Sequence, residues 1–171
     1  AYIPPLKNNP QAVNFDARRT HIIDRFIINQ MEKKGLKPSP RAPKEMLLRR
    51  LYFDLAGLPP SISEIDNFLN DFSEDAYEKV VDHLLRSPSY GERMASIWMD
   101  ISRYADTNGY QDDTERTMWP WRDWVIHAYN KNLPYDKFIT WQLSGDLIPN
   151  ASKEQILATG FNRNHMITQE G

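Results

Sequence analysis

The stretch Ser61-Ile62-Ser63-Glu64-Ile65-Asp66-Asn67-Phe68-Leu69 decides the class of fold. Ser61 followed three residues later by Glu64 is a capping box, in which a hydroxyl and a carboxylate satisfy the free N–H groups that open a helix. Ile65, Phe68 and Leu69 then recur at helical spacing and give a short helix one apolar face. The same grammar extends outward. Pro43 stands where a first helical turn tolerates proline; Met46, Leu47, Arg50, Leu51 and Leu55 follow, and Gly57 stops the pattern before Pro59-Pro60. Further upstream, Ile23, Phe26, Ile27 and Met31 mark a helix between Thr20 and Lys34, ended by Gly35. Downstream, Glu74 and Asp75 lead a helix carrying Tyr77, Val80, Val81, Leu84 and Leu85. Residues 91–104 align Met94, Ile97, Trp98 and Ile101. Helices resume over 120–130, 135–144 and 152–159, with Gly145 and Gly160 read as stops and a second capping box at Ser152 and Gln155.

No run of four or more residues reads as a half-buried strand, and no fixed-period repeat occurs. The expected fold is therefore all-α: an irregular bundle of seven or eight short helices over residues 20–171. An extended arm over residues 1–19, with Pro4, Pro5 and Pro10, precedes it. The helical domain is expected to be incomplete at its C-terminal end. Shared periodicity predicts a single core built from Phe26, Leu47, Leu51, Leu84, Ile97, Trp98, Val125 and Phe138.

Composition narrows the chemistry. With 171 residues, 40% hydrophobic and 26% charged, the chain is long enough to bury a core and ordinary for a globular protein. Twenty-one basic and 23 acidic residues leave a net charge of −2, which gives no reason to expect nucleic acid or an anionic membrane as partner. No apolar run reaches the roughly 18–20 residues of a spanning helix. The opening Ala1-Tyr2-Ile3-Pro4-Pro5 lacks signal-peptide character and reads as a mature or trimmed start. The absence of cysteine excludes disulfides, thiolate metal sites, a cysteine nucleophile and covalent haem attachment within these residues. No phosphate loop, nucleophile elbow or dinucleotide fingerprint occurs.

Two segments can hold a site. The first, Trp98 to Trp124, is dense in aromatic and charged residues. Helical spacing puts Asp100, Arg103 and Tyr104 on neighbouring rows of one face, and the turn-rich stretch from Ala105 to Asp113 can bend Asp106 back toward them. Asp100, Arg103, Tyr104, Asp106 and His165 are the candidate catalytic residues. The expected engagement is of Arg103 and Asp106 with one another or with Asp100 and Arg122, which would hold the loop over residues 105–119 to the helices. Structural ion pairs and core aromatics are the competing reading of the same residues. Asp106, Asn108 and Asp112 also offer hard oxygen ligands beside Gly109, the start of a calcium loop, although Thr117 stands where such a loop carries its closing glutamate. The second segment is Phe161-Asn162-Arg163-Asn164-His165-Met166. His21, His83 and His127 lie inside helical patterns, whereas His165 follows a glycine in a polar run. Histidine and methionine are both haem axial ligands, and histidine is the usual general base.

A set of motifs ties these segments to a known family. They are Ile23-Asp24-Arg25-Phe26-Ile27, Leu48-Arg49-Arg50-Leu51 with Asp54-Leu55-Ala56-Gly57-Leu58-Pro59-Pro60, and Ser87-Pro88-Ser89-Tyr90-Gly91-Glu92-Arg93. Arg103-Tyr104-Ala105-Asp106-Thr107-Asn108-Gly109-Tyr110, Trp121-Arg122-Asp123-Trp124-Val125-Ile126, Pro134-Tyr135-Asp136-Lys137-Phe138 and Ala158-Thr159-Gly160-Phe161-Asn162-Arg163-Asn164-His165 complete them. Together they resemble the planctomycete-type cytochrome-c-associated domain of unknown function, over nearly everything after residue 20.

The resemblance implies an extracytoplasmic address, periplasmic or exported. It also implies frequent company of an upstream cytochrome c domain, sugar-binding modules in some members, and a C-x-x-C-H-type segment beyond the equivalent of Glu170-Gly171. On that footing the chain is expected to be a helical module packing around a c-type haem attached downstream. Its partner would be the remainder of the same polypeptide or a companion chain. His165, Met166 and Arg163 would be nearest the cofactor, with His165 in a supporting hydrogen-bonding role preferred to direct ligation. The alternatives are a polysaccharide-acting or polysaccharide-binding protein that uses the Trp98–Trp124 surface, and a scaffold without a site.

Overall fold

The computed structural model describes Leu6, residues 21–109 and residues 113–167. It bears out the all-α class: eight α-helices and two short 3-10 turns, with no strand among the described residues. The arm over residues 1–19 lies, apart from Leu6, outside the described residues. The chain divides into two compact units, residues 1–42 and 43–171. The first contains α1, Ile22–Lys33, opened by His21, whose ring accepts from the N–H of Ile23, and closed through Gly35 at φ 67°. Ile28 is its buried residue, while Phe26 is 41% exposed and does not serve as the core residue its spacing suggested.

The second unit carries α2 (Lys44–Leu55), α3 (Ile62–Asn70), α4 (Ala76–Leu85), α5 (Pro88–Ile101), α6 (Trp119–Asn130), α7 (Tyr135–Ser144) and α8 (Lys153–Ala158). Both predicted capping boxes are present. Ser61 and Ser152 each accept from the backbone of the residue three positions on, while Glu64 and Gln155 reach back to the cap N–H. Ser87 caps α5 from Pro88 onward, so this helix begins three residues earlier than Gly91.

The core is double rather than single. Leu48, Leu51, Tyr52, Phe68, Ala76 and Leu84 form one cluster between α2, α3 and α4. Ala95, Trp121, Trp124, Val125, Ala128, Phe138 and Ala158 form the other, with Trp98 packed against it. Leu51, Leu84, Val125 and Phe138 are buried as expected and Leu47 is half-buried, but Ile97 is 50% exposed. The physical reason lies in the α5–α6 packing. A Cβ on Gly91 would stand 2.5 Å from both Asn130 Cγ and the Ile126 carbonyl oxygen, so α5 turns its small residues, Gly91 and Ala95, inward and leaves Ile97 and Ile101 outside. Asn130, at the end of α6, accepts from the Gly91 N–H at 2.8 Å and donates to the Pro88 carbonyl at 3.2 Å. It thereby caps the Gly91 N–H in the first turns of α5 and adds a second donor to the Pro88 carbonyl.

Gly160 also differs from its sequence reading as a stop. It lies inside the 3-10 turn Thr159–Arg163, and a Cβ there would meet Trp121 Cβ at 2.8 Å. Its role is close approach to an indole, not release of a helix end.

Candidate functional site

Helix α5 ends in a reversal that creates the site's first loop. The N–H of Tyr104 bonds the Met99 carbonyl at 3.0 Å and that of Arg103 bonds the Asp100 carbonyl at 3.2 Å, with Arg103 at φ 54°. This is the bonding of a Schellman cap, whose left-handed position usually falls to glycine or asparagine. α1, α2 and α6 place Gly35, Gly57 and Asn132 at positive φ after their last turns, whereas α5 places an arginine there. Asp100 therefore stays on the helix, exposed, while Arg103 and Tyr104 leave it. The shared helical face expected of these three residues does not form. Among the described residues no side-chain hydrogen bond or ion pair joins Arg103 to Asp100 or Asp106; its one bond to Asp100 is the backbone bond of the cap.

The reversal delivers Tyr104 to Asp106. The phenol donates to Asp106 Oδ2 at 2.7 Å, and the Met118 N–H donates to Oδ1 at 3.3 Å. One carboxylate thus ties the exit of α5 to the cap of α6. Arg122, on the first turns of α6, chelates Asp123 Oδ1 through Nε and Nη2 at 3.1 and 3.0 Å. Desolvation, with the Asp106 hydrogen bond and negative charge behind it, pushes the Tyr104 phenol up to about 12; Arg122 works in the opposite direction. Asp123 holds the Arg122 guanidinium above its ordinary range, aided by the charges of Tyr104 and Asp106.

Between these anchors the described residues of the loop bond one another. Thr107 and Glu115 form an isolated antiparallel bridge, the Asn108 amide donates to Thr114 Oγ1 at 2.6 Å, and the Gly109 N–H donates to Asp113 Oδ1 at 2.6 Å. Hydrogen bonds from Thr107 and Gly109 hold the Asp113 carboxyl below the usual range. Of the proposed calcium ligands, Asp106 and Asn108 are engaged in these internal bonds and Asp112 lies outside the described residues. Among the described residues no group of three or more His, Asp or Glu side chains is placed to hold a metal ion.

The loop then grips the second candidate segment. Arg116 Nη1 donates to the carbonyls of Arg163 and His165, each at 2.9 Å, while its Nε reaches the Ala105 carbonyl at 3.4 Å. Alongside, the Ile167 N–H bonds the Asn108 carbonyl at 3.2 Å, and Met166 Cγ lies 3.3 Å from where a Cβ on Gly109 would stand. His165, exposed, holds its Nδ1 3.1 Å from the Asn162 carbonyl. A carbonyl only accepts, so in this contact Nδ1 carries the hydrogen, and in the neutral ring Nε2 keeps the lone pair. Arg163 and Met166 are exposed. Asn164 between them is 5% exposed, and neither its Oδ1 nor its Nδ2 has a hydrogen-bond partner. Ser102, the C-cap of α5, is 7% exposed with an equally unpartnered Oγ.

Thus the candidate residues separate into groups. Tyr104 and Asp106 meet, His165 and Met166 are brought to the same loop through Arg116 and Asn108, and Asp100 and Arg103 join neither. Sequence reading missed Arg116 as the link. Its position between Glu115 and Thr117 carries no local signal, because its partners are backbone carbonyls 47 and 49 residues away.

The tryptophans of the same region mostly face inward. Trp121 and Trp124 are buried, and Trp98 donates its N–H to buried Gln142 at 2.9 Å. Their rings pack in a chain running from Tyr104 through Trp121, Phe161, Trp98 and Phe138 to Trp124, with centroids 5.1 to 6.3 Å apart. Trp119, 52% exposed, is the most open aromatic among the described residues of this region. Among the described residues no helix is long and apolar enough to cross a membrane.

Comparisons with curated proteins and with solved structures each gave no match. A family does match: residues 22–171 fit the one described as PSCyt2, a protein of unknown function (DUF1549), and the chain belongs to that family.

Proposed function

We propose that this chain is a helical support module that frames a redox centre, a c-type haem, carried on another segment of the same polypeptide or on a companion chain of an extracytoplasmic protein. The observation that supports it most directly is the setting of His165. The Asn162 carbonyl orients the ring through Nδ1, and Nε2 remains available on an exposed side chain. That is the arrangement in which an imidazole ligates a metal or donates and accepts around one. Having no cysteine, the chain cannot attach haem covalently itself. Its residues would support the group, or would ligate it through His165 Nε2 or the Met166 thioether, which are adjacent in sequence and so alternatives to each other.

When bound, haem supplies one-electron transfer at its iron; the chain's own residues supply position. Arg116 fixes the carbonyls on either side of Asn164, so the imidazole is set by the loop over residues 102–118. The unpartnered buried groups of Asn164 and Ser102 carry a desolvation cost that an added hydrogen-bonding partner would relieve. We place His165 in the supporting role, hydrogen-bonding beside the centre.

The experiment is an absorption spectrum and potentiometric titration of the full-length protein produced with c-type haem maturation. A Soret band whose reduction potential shifts in His165→Ala is the expected result. A full-length protein with no haem absorption, or a potential indifferent to His165, overturns the reading.

A further inference from the structure

Four rings run from the second core cluster to its edge at Asp106. Trp98 and Phe161 stack with centroids 6.3 Å apart, Phe161 and Trp121 lie at 6.1 Å, and Trp121 and Tyr104 stack at 6.0 Å with 28° between their planes. In a chain without cysteine, indole and phenol are the side chains that most readily give up one electron. Phe161 does not, and only bridges the two indoles.

The donors along this path differ in what can take their proton. An indole that loses an electron becomes an acidic cation, and it settles as a neutral radical once a base accepts its N–H proton. Trp121 is buried and its Nε1 has no hydrogen-bond partner, so that proton has nowhere to go. Trp98 Nε1 donates to Gln142 Oε1 at 2.9 Å, an amide oxygen and a very weak base. Tyr104 instead donates to a carboxylate, Asp106 Oδ2 at 2.7 Å, and Asp106 is exposed to solvent. At the far end of the ring chain Tyr129 packs on Phe138 at 5.3 Å, and no carboxylate is bonded to its phenol among the described residues.

We infer that Trp98, Trp121 and Tyr104 form a relay that carries a one-electron oxidation out of the core and ends it at the Tyr104–Asp106 pair. A one-electron oxidant, a diffusing radical, takes an electron from half-buried Trp98. The Trp98 cation draws an electron from Trp121 across Phe161, and the Trp121 cation draws one from Tyr104. As Tyr104 loses its electron, its proton passes along the existing hydrogen bond to Asp106. The sum is one electron delivered to the oxidant, a neutral phenoxyl at Tyr104 and a neutral acid at Asp106, with both indoles restored. A buried cation without a partner is costly, and the Gln142 bond favours the cation at Trp98, so Trp121 holds the charge only in passing. Proton transfer at Tyr104 leaves no cation behind, which makes the last step the downhill one. The relay needs no haem and none of the contacts of His165, so it stands apart from the redox reading above.

The test is flash-quench oxidation of the protein with photogenerated tris(bipyridine)ruthenium(III), followed by transient absorption and by electron paramagnetic resonance of frozen samples. Trp119→Phe serves as the parent, because Trp119 is exposed and lies outside the path. Expected is an indole-cation signal that decays as a phenoxyl signal rises, with the rise slowed in deuterium oxide. Tyr104→Phe should lose this delayed phenoxyl and leave the indole cation longer lived. Asp106→Asn removes the base while leaving every ring in place, and should suppress the delayed phenoxyl in the same way. Tyr135→Phe, at an exposed phenol outside the path, should diminish only phenoxyl formed promptly by direct oxidation. Unchanged near-ultraviolet circular dichroism verifies the ring packing of each variant. A parent without the delayed phenoxyl, or a delayed phenoxyl undiminished in Tyr104→Phe or in Asp106→Asn, overturns the inference.

Discussion

Tyr104 and Asp106 form the hinge point between two helices: the phenol donates to one carboxylate oxygen at 2.7 Å while the other oxygen receives the backbone N–H of Met118, the cap residue of α6. A single residue, Ala105, separates donor from acceptor, yet with the Met118 bond the contact links the end of α5 to the start of α6. The α6 cap has no side-chain bond of its own, and Asp106 supplies to its N–H from a distance what Glu64 supplies locally to the N–H of Ser61 in α3.

Alkaline pH should weaken this arrangement. The folded state holds the Tyr104 proton up to about 12, against about 10 for a free phenol. The contribution is fully present below about pH 10 and is lost as pH rises through the folded value, because the unfolded state releases its proton first. Denaturant midpoints measured across this window should fall less steeply in Tyr104→Phe than in the parent protein. The same substitution at neutral pH should cost about 0.5–1.5 kcal/mol for the lost hydrogen bond.

Arg103 occupies a conformation that disfavours side chains. Replacing it with glycine should stabilise the protein by about 0.5–1 kcal/mol, the left-handed penalty less glycine's greater loss of chain entropy. Arg103→Ala should leave stability nearly unchanged, as alanine carries the same Cβ into the same φ. Thermal denaturation of the two variants separates a backbone effect from a charge effect. Loss of stability in Arg103→Gly would show that the arginine side chain anchors the loop.

Gly160→Ala should destabilise by about 1–3 kcal/mol, the usual cost of overpacking, because the added methyl meets the buried Trp121 side chain at 2.8 Å. The indole must shift to admit it, so Trp fluorescence should change along with the unfolding midpoint. A variant as stable as the parent, with unchanged emission, would contradict the close approach.

Calcium titration should produce no stoichiometric heat. Asp106 is occupied by Tyr104 and Met118, Asn108 by Thr114, and Asp113 by Gly109. A cation would have to displace those bonds before gaining its usual six to eight oxygens. Tight binding that disappears in Asp106→Ala would sink this expectation.

Much of the fold was legible because helix ends are local events. Ser61 and Glu64, or Ser152 and Gln155, cap within one turn, and Gly35 and Gly57 terminate through their own φ, so short sequence windows contain the whole physical cause. The site was less legible. In α6, Trp121, Trp124, Val125 and Ala128 stand at the i, i+3, i+4, i+7 spacing of a buried face, and aromatic density drew attention to a surface when the periodicity pointed to the core. In α5 the large residues Ile97 and Ile101 share a face and read as core, but packing distance selected the small ones. Tyr104 and Asp106, with one residue between them, were both legible as candidates, but the partner expected for Asp106 was Arg103 and the structure gives it Tyr104. Arg116 was not legible, since its partners are peptide carbonyls that no residue identity encodes.

That bond has a bearing on the order of events during folding. Arg116 must wait for residues 47 and 49 positions farther along the chain before its guanidinium finds acceptors, and α6, α7 and α8 all lie in the interval. Closing so long a loop is entropically slow compared with forming any one helix. The contacts of Arg116 with Arg163 and His165 should therefore form only after the helices in the interval have docked, and amide exchange at Ile167 should report the last cooperative step of refolding rather than the first.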